Sequence, residues 1–187
     1  MNNNDSRTDQ NIDEDVFYLK PGYIYIGSEK TAVKTVLGNC VSVCLWDDKL
    51  RYGGMNHFLY PFTKDKKKAT AKFGNIATKI LIKKMYQFGT KKENLVAQII
   101  GGAKPENTTG IDLGTENISI ARKILHKEGI KIKSEDVGGH LGRKVVFDMN
   151  NGHLLVIKVH KIRSGDWKTY SLDDNAENIE NIENDRS

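Results

Sequence analysis

The chain has 187 residues, enough for one compact domain that needs no disulfide or metal staple. With 38% hydrophobic and 28% charged residues it reads as a soluble globular protein, and no apolar run approaches the roughly 20 residues that span a bilayer. The net charge of +5 is unevenly spread: residues 1–15 carry −4 and residues 172–187 carry −5, which leaves +14 on residues 16–171.

Both acidic ends hold hardly an aromatic side chain, so they are expected to be disordered tails around a single domain at 16–171. The N-terminal one lacks the apolar stretch of a secretory leader. Two cysteines, Cys40 and Cys44, are too few for a disulfide framework and fit a reducing cytoplasm. Strand signals come first, at Tyr23–Ile26, Val33–Leu37, Val41–Trp46 and Gly53–Tyr60, the last ended by Pro61. A helix is predicted from Thr70 to Phe88, with Phe73, Ile76, Ala77, Ile80, Leu81, Met85 and Phe88 as its apolar stripe and Gly89 just past its end. Leu95–Ile100 reads as a buried strand running into Gly101-Gly102-Ala103. A second helix, Thr115–Glu128, presents Ile118, Ala121, Ile124 and Leu125 on one face. Strands follow at Ile130–Val137, Lys144–Asp148 and Leu154–Val159, the last two joined by the hairpin turn Asn150-Asn151-Gly152. Many strands with two helices give a mixed α/β domain; four strands in a row without a helix argue against a doubly wound order.

Cys40 follows a Gly38-Asn39 turn at the mouth of a predicted strand. Such a turn exposes the residue after it and leaves backbone N–H groups of Gly38, Asn39 and Val41 nearby, as a nucleophile with an oxyanion pocket requires. Cys44 would lie roughly 13 Å along the strand, too far for a disulfide or a metal corner, and between Val43 and Leu45 it reads as core. A nucleophilic cysteine needs a base. His57 ends a strand that would pair with the one after Cys40, and a hairpin turning at residues 47–51 brings the two together. A cysteine and a histidine at this separation are more often structural than catalytic, so both readings stand at this point. Asn56 and His140, the latter in a glycine-rich loop, are candidate neighbours. Gly101-Gly102 and Gly114 match neither dinucleotide nor phosphate-loop fingerprints, so they are expected to make turns or pack against a site wall. The basic body favours an acidic partner, or is simply a solvated surface; no aromatics interleave its lysines, which argues against nucleic acid.

Several blocks together resemble the CheD family of chemoreceptor glutamine deamidases. They are Leu37-Gly38-Asn39-Cys40-Val41-Ser42-Val43-Cys44-Leu45, Gly53-Gly54-Met55-Asn56-His57-Phe58-Leu59-Tyr60-Pro61, Gly101-Gly102-Ala103, Gly114-Thr115-Glu116-Asn117 and Gly138-Gly139-His140-Leu141-Gly142-Arg143-Lys144-Val145. The resemblance implies a layered α/β/β fold, Cys40 as nucleophile, His57 as its base and Thr35 as the third catalytic residue. Asn39 stands where the family has a serine. It also implies cysteine-dependent conversion of receptor glutamines to glutamates in the cytoplasm without metal or cofactor, with methyl-accepting chemoreceptor helices as substrate and a CheC-type phosphatase as a second partner. A mainly non-catalytic regulator of that phosphatase is the alternative reading, and a nucleic-acid binder a distant third.

Overall fold

The computed structural model describes residues 15–28, 31–104, 106, 110–162 and 166. The acidic segments 1–14 and 172–187 lie outside them, but Asp15, counted with the tail above, opens the first strand. The strands are β1 (Asp15–Tyr18), β2 (Ile24–Ser28), β3 (Thr31–Leu37), β4 (Val41–Asp47), β5 (Tyr52–Asn56), β6 (Leu95–Gly101), β7 (Lys131–Val137), β8 (Gly142–Asp148) and β9 (His153–Val159); the helices are α1 (Gly74–Gln87) and α2 (Leu113–Glu128). They form three layers. The five-stranded sheet β2-β5-β4-β6-β7 lies in the middle, with α1 and α2 on one face and the four-stranded sheet β1-β3-β8-β9 on the other. Among the described strands only β1–β3 and β6–β7 pair in parallel, so the α/β/β arrangement is largely antiparallel. Neither helix is long and apolar enough to cross a membrane, among the described residues.

Strand β4 shows why the sequence builds this sandwich. It is buried along its whole length, and its alternate residues serve two cores. Val41, Val43 and Leu45 pack with Leu81, Met85 and Leu125 beneath the helices. Cys44 and Trp46 pack with Leu37, Val145 and Phe147 between the sheets, which bears out Cys44 as core.

Several sequence expectations shift. Helix α1 begins at Gly74, not Thr70, because residues 70–73 form a turn, closed by the Phe73 N–H on the Thr70 carbonyl and held by the segment that follows β5. The Leu59 and Tyr60 N–H groups both donate to the Lys72 carbonyl, and the Gly74 N–H donates to Tyr60. Its buried face is also rotated: Thr78 and Ile82 are covered, whereas Ile80 and Phe88 are exposed, Phe88 stacking on Tyr52 at 4.9 Å between centroids. Strand β5 stops at Asn56, beyond which a single bridge, Val41 to Phe58, continues its pairing with β4. Helix α2 starts at Leu113, capped by the Asp112 carboxylate on the Thr115 N–H, and ends on left-handed Gly129.

Candidate active site

The β4–β5 register runs from Asp47 opposite Tyr52 to Cys44 opposite Met55 and on to the bridge of Val41 with Phe58. Continued, it sets Ser42 opposite His57 and Cys40 opposite Leu59. Alternation along the strands turns Cys40, Ser42 and Cys44, with Met55 and His57 from the neighbour, toward the four-stranded sheet. Cys40 and His57 are therefore diagonal neighbours on one face, roughly 7–8 Å apart at Cα. Cys40 is partly exposed, and His57 is fully buried.

The third residue arrives from the other sheet. Thr35, between Val33 and Leu37 on the inner face of β3, places its hydroxyl 2.9 Å from His57 Nδ1 and donates to the Leu19 carbonyl at 2.8 Å. A hydroxyl has one proton, and this one is used on Leu19, so Thr35 Oγ1 accepts from His57 Nδ1–H. That fixes the tautomer: Nε2 carries the lone pair, as a base requires. Burial drives the His57 pKa down to about 4, only partly opposed by the Leu19 carbonyl, which favours a proton on the ring. Burial likewise pushes the Cys40 thiol up to about 11, partly opposed by its own backbone N–H. The resting pair is thus a neutral thiol and a neutral imidazole.

The backbone around Cys40 is tightly held. The Gly102 N–H donates to the Cys40 carbonyl at 2.7 Å, and the Ala103 N–H donates to Gly38 at 2.9 Å. Gly101 has φ +109, and a Cβ there would lie 2.3 Å from the Cys40 oxygen, so only glycine fits. The Asn39 side chain is exposed, and its Oδ1 accepts a weak bond from the Cys40 thiol at 3.7 Å. A cleft of about 330 Å³ opens beside this turn, lined by Gly38, Asn39, Lys104, Ile111 and Asp112.

Three expected site residues stand apart. The Val41 N–H donates to the Phe58 carbonyl, so it is committed to the sheet and is not a free oxyanion donor. Asn56 is one residue from His57 and faces the opposite way: its amide bridges the Val43 N–H and Thr78 of α1 beneath the helices. His140 is exposed and meets the Lys104 carbonyl at 3.0 Å through Nδ1; it steadies the rim of a separate cleft shared with Arg143, Lys158 and His160.

Two polar residues on this site escaped the sequence reading. Ser42 is wholly buried opposite His57. Asn117 of α2 donates from Nδ2 to the Asn39 carbonyl at 3.1 Å and to the Leu59 carbonyl at 3.0 Å. Its signal was available: it stands at helical spacing in the stripe of Ala121, Ile124 and Leu125, a polar residue where an apolar one belongs.

A family model described as CheD chemotactic sensory transduction matches residues 60–158, beginning just past His57. A Sulfurimonas denitrificans protein named probable chemoreceptor glutamine deamidase CheD is 38% identical over 147 residues, covering 77% of this chain and 94% of the relative. Proteins of the same name from Trichlorobacter lovleyi (37% identical, 75% and 88% covered) and Methanococcus vannielii (32% identical, 80% and 99% covered) are also similar. Among solved structures, Neisseria meningitidis protein NMB0706 aligns with a TM-score of 0.40 at 12% identity, over 70% of this chain and 65% of that one.

Proposed function

The chain belongs to the CheD family, and we propose that it is a cysteine-dependent chemoreceptor glutamine deamidase with Cys40 as nucleophile, His57 as general base and Thr35 as the residue that orients the imidazole. The observation that supports this reading most is the Thr35–His57 hydrogen bond. It crosses from one sheet to the other and, with the hydroxyl proton on Leu19, supports a ring whose lone pair lies on Nε2, the tautomer a general base needs.

In this mechanism His57 Nε2 takes the Cys40 proton as the sulfur attacks the side-chain carboxamide carbon of a receptor glutamine. N–H groups of the Gly38-Asn39-Cys40 turn hold the developing oxyanion. His57 returns the proton to the nitrogen, ammonia leaves, and a thioester remains. Water, deprotonated by the same ring, attacks the thioester carbon; the C–S bond breaks, the thiol is restored, and glutamate is released. The +14 body provides long-range attraction for an acidic helical substrate in the cytoplasm. Incubation with a receptor cytoplasmic fragment, followed by peptide mass spectrometry, tests the proposal. The expected result is an amide-to-acid mass gain at specific glutamines with wild type and none with Cys40→Ala. An undiminished gain with the variant, or none with wild type, overturns it.

A further inference from the structure

Resting on the deamidase reading, we infer that Asn117 is a positioning residue for the nucleophile: its side-chain amide holds the peptide that carries Cys40 in the orientation from which the sulfur meets His57. The amide nitrogen has two protons, and both are in use. One goes to the Asn39 carbonyl, which belongs to the peptide ending in the Cys40 nitrogen; the other goes to Leu59, the residue that faces Cys40 across the β4–β5 register. A peptide group is planar, so fixing the Asn39 oxygen fixes the opposed Cys40 N–H. That N–H bears on the Cys40 sulfur and works against the rise that burial imposes on the thiol.

The peptide on the other side of Cys40 is held as well, by the Gly102 N–H on the Cys40 carbonyl. Both holds depend on one close contact. A Cβ on Gly114 would lie 2.5 Å from the Gly102 oxygen, and one on Gly102 would lie 2.6 Å from Ile118 Cδ1. The first turn of α2 is therefore seated directly on the loop that grips Cys40, and Asn117, one turn further on, completes the grip from within the core. Packing alone does not account for an amide here. Asn117 is fully buried, and its Oδ1 accepts no hydrogen bond among the described residues, a state that disfavours the residue unless its donors are needed.

The test compares wild type, Asn117→Leu and Asn117→Gln, each checked by thermal unfolding. Two readouts are taken: kcat and KM for deamidation of a receptor fragment, and the pH dependence of Cys40 alkylation by iodoacetamide in the absence of substrate. Cys44 is buried and does not contribute to the alkylation. For Asn117→Leu the expected result is a kcat lowered on the order of 10²-fold in protein still folded, with KM nearly unchanged, because the sulfur is misplaced while the docking surface is intact. Its alkylation midpoint moves to higher pH, and Asn117→Gln, which keeps the donor, recovers part of both. If Asn117→Leu is unfolded at the assay temperature, Asn117→Ser carries the same measurements. Wild-type kcat and an unshifted alkylation profile in the folded variant overturn the inference. The alkylation readout needs no receptor, so it judges Asn117 even where the wild-type protein deamidates nothing and the deamidase reading itself falls.

Discussion

Lowering the pH from 7.5 to 5.0 should destabilise this protein through one buried ring. His57 titrates at about 4 in the folded chain against an ordinary 6.5. Between those values the unfolded chain binds a proton that the folded chain refuses, so this contribution to stability is complete above about pH 7 and is lost as the pH falls toward 4. Each full unit within the window removes about 1.4 kcal/mol. The step to pH 5.0 crosses about one and a half units of it and should remove about 2 kcal/mol. The measurement is urea unfolding at both pH values for wild type and for His57→Asn, whose amide can still meet Thr35. The variant keeps every carboxylate, so subtracting its pH dependence cancels the other acid-sensitive groups. A residual near zero would refute the assignment of a neutral, desolvated imidazole and with it the proton inventory of the proposed mechanism.

Two further outcomes follow from the same geometry. Thr35→Val removes the hydroxyl that bridges His57 Nδ1 and the Leu19 carbonyl; kcat should fall on the order of 10²-fold with KM little changed, and stability by about 1–3 kcal/mol for the disrupted buried polar contact, read by steady-state kinetics and chemical denaturation. Gly101→Ala forces a side chain into a left-handed residue and against the Cys40 carbonyl, so denaturant titration should show a loss of about 1–3 kcal/mol, and the folded fraction should turn over poorly.

How much was legible in the sequence depended on the range of the interaction. Alternation and turn chemistry placed β4, β6, β8 and β9 because those strands carry their own apolar pattern. Strand β1 was missed: Asp15–Tyr18 is only four residues long, leaves Val16 and Phe17 exposed, and is held by parallel pairing with β3, some sixteen residues on. The start of α1 was misplaced because backbone partners from residues 59–61, not a side-chain cap, decide where it begins. Within the site, the Cys40–His57 diagonal could be read from strand pairing alone, and the same alternation should have turned Asn56 away from it. Thr35 entered only through family resemblance, because its bond to His57 joins two sheets and leaves no mark in any local pattern. Asn117 follows Gly114 in a polar, glycine-led run, and only its place on the buried side of α2 carries the information.

In the proposed mechanism the imidazole shares a sheet with the sulfur it serves and takes its bearing from the other sheet. A sideways slip of the two layers by less than a side chain's width would part Thr35 from His57 and release the ring's orientation while every ladder of backbone bonds stayed whole. Substitutions at Phe147 or Val145, deep in that seam and remote from any docking surface, should therefore silence turnover before circular dichroism registers a change. Catalysis in this molecule doubles as a caliper for the alignment of its own layers.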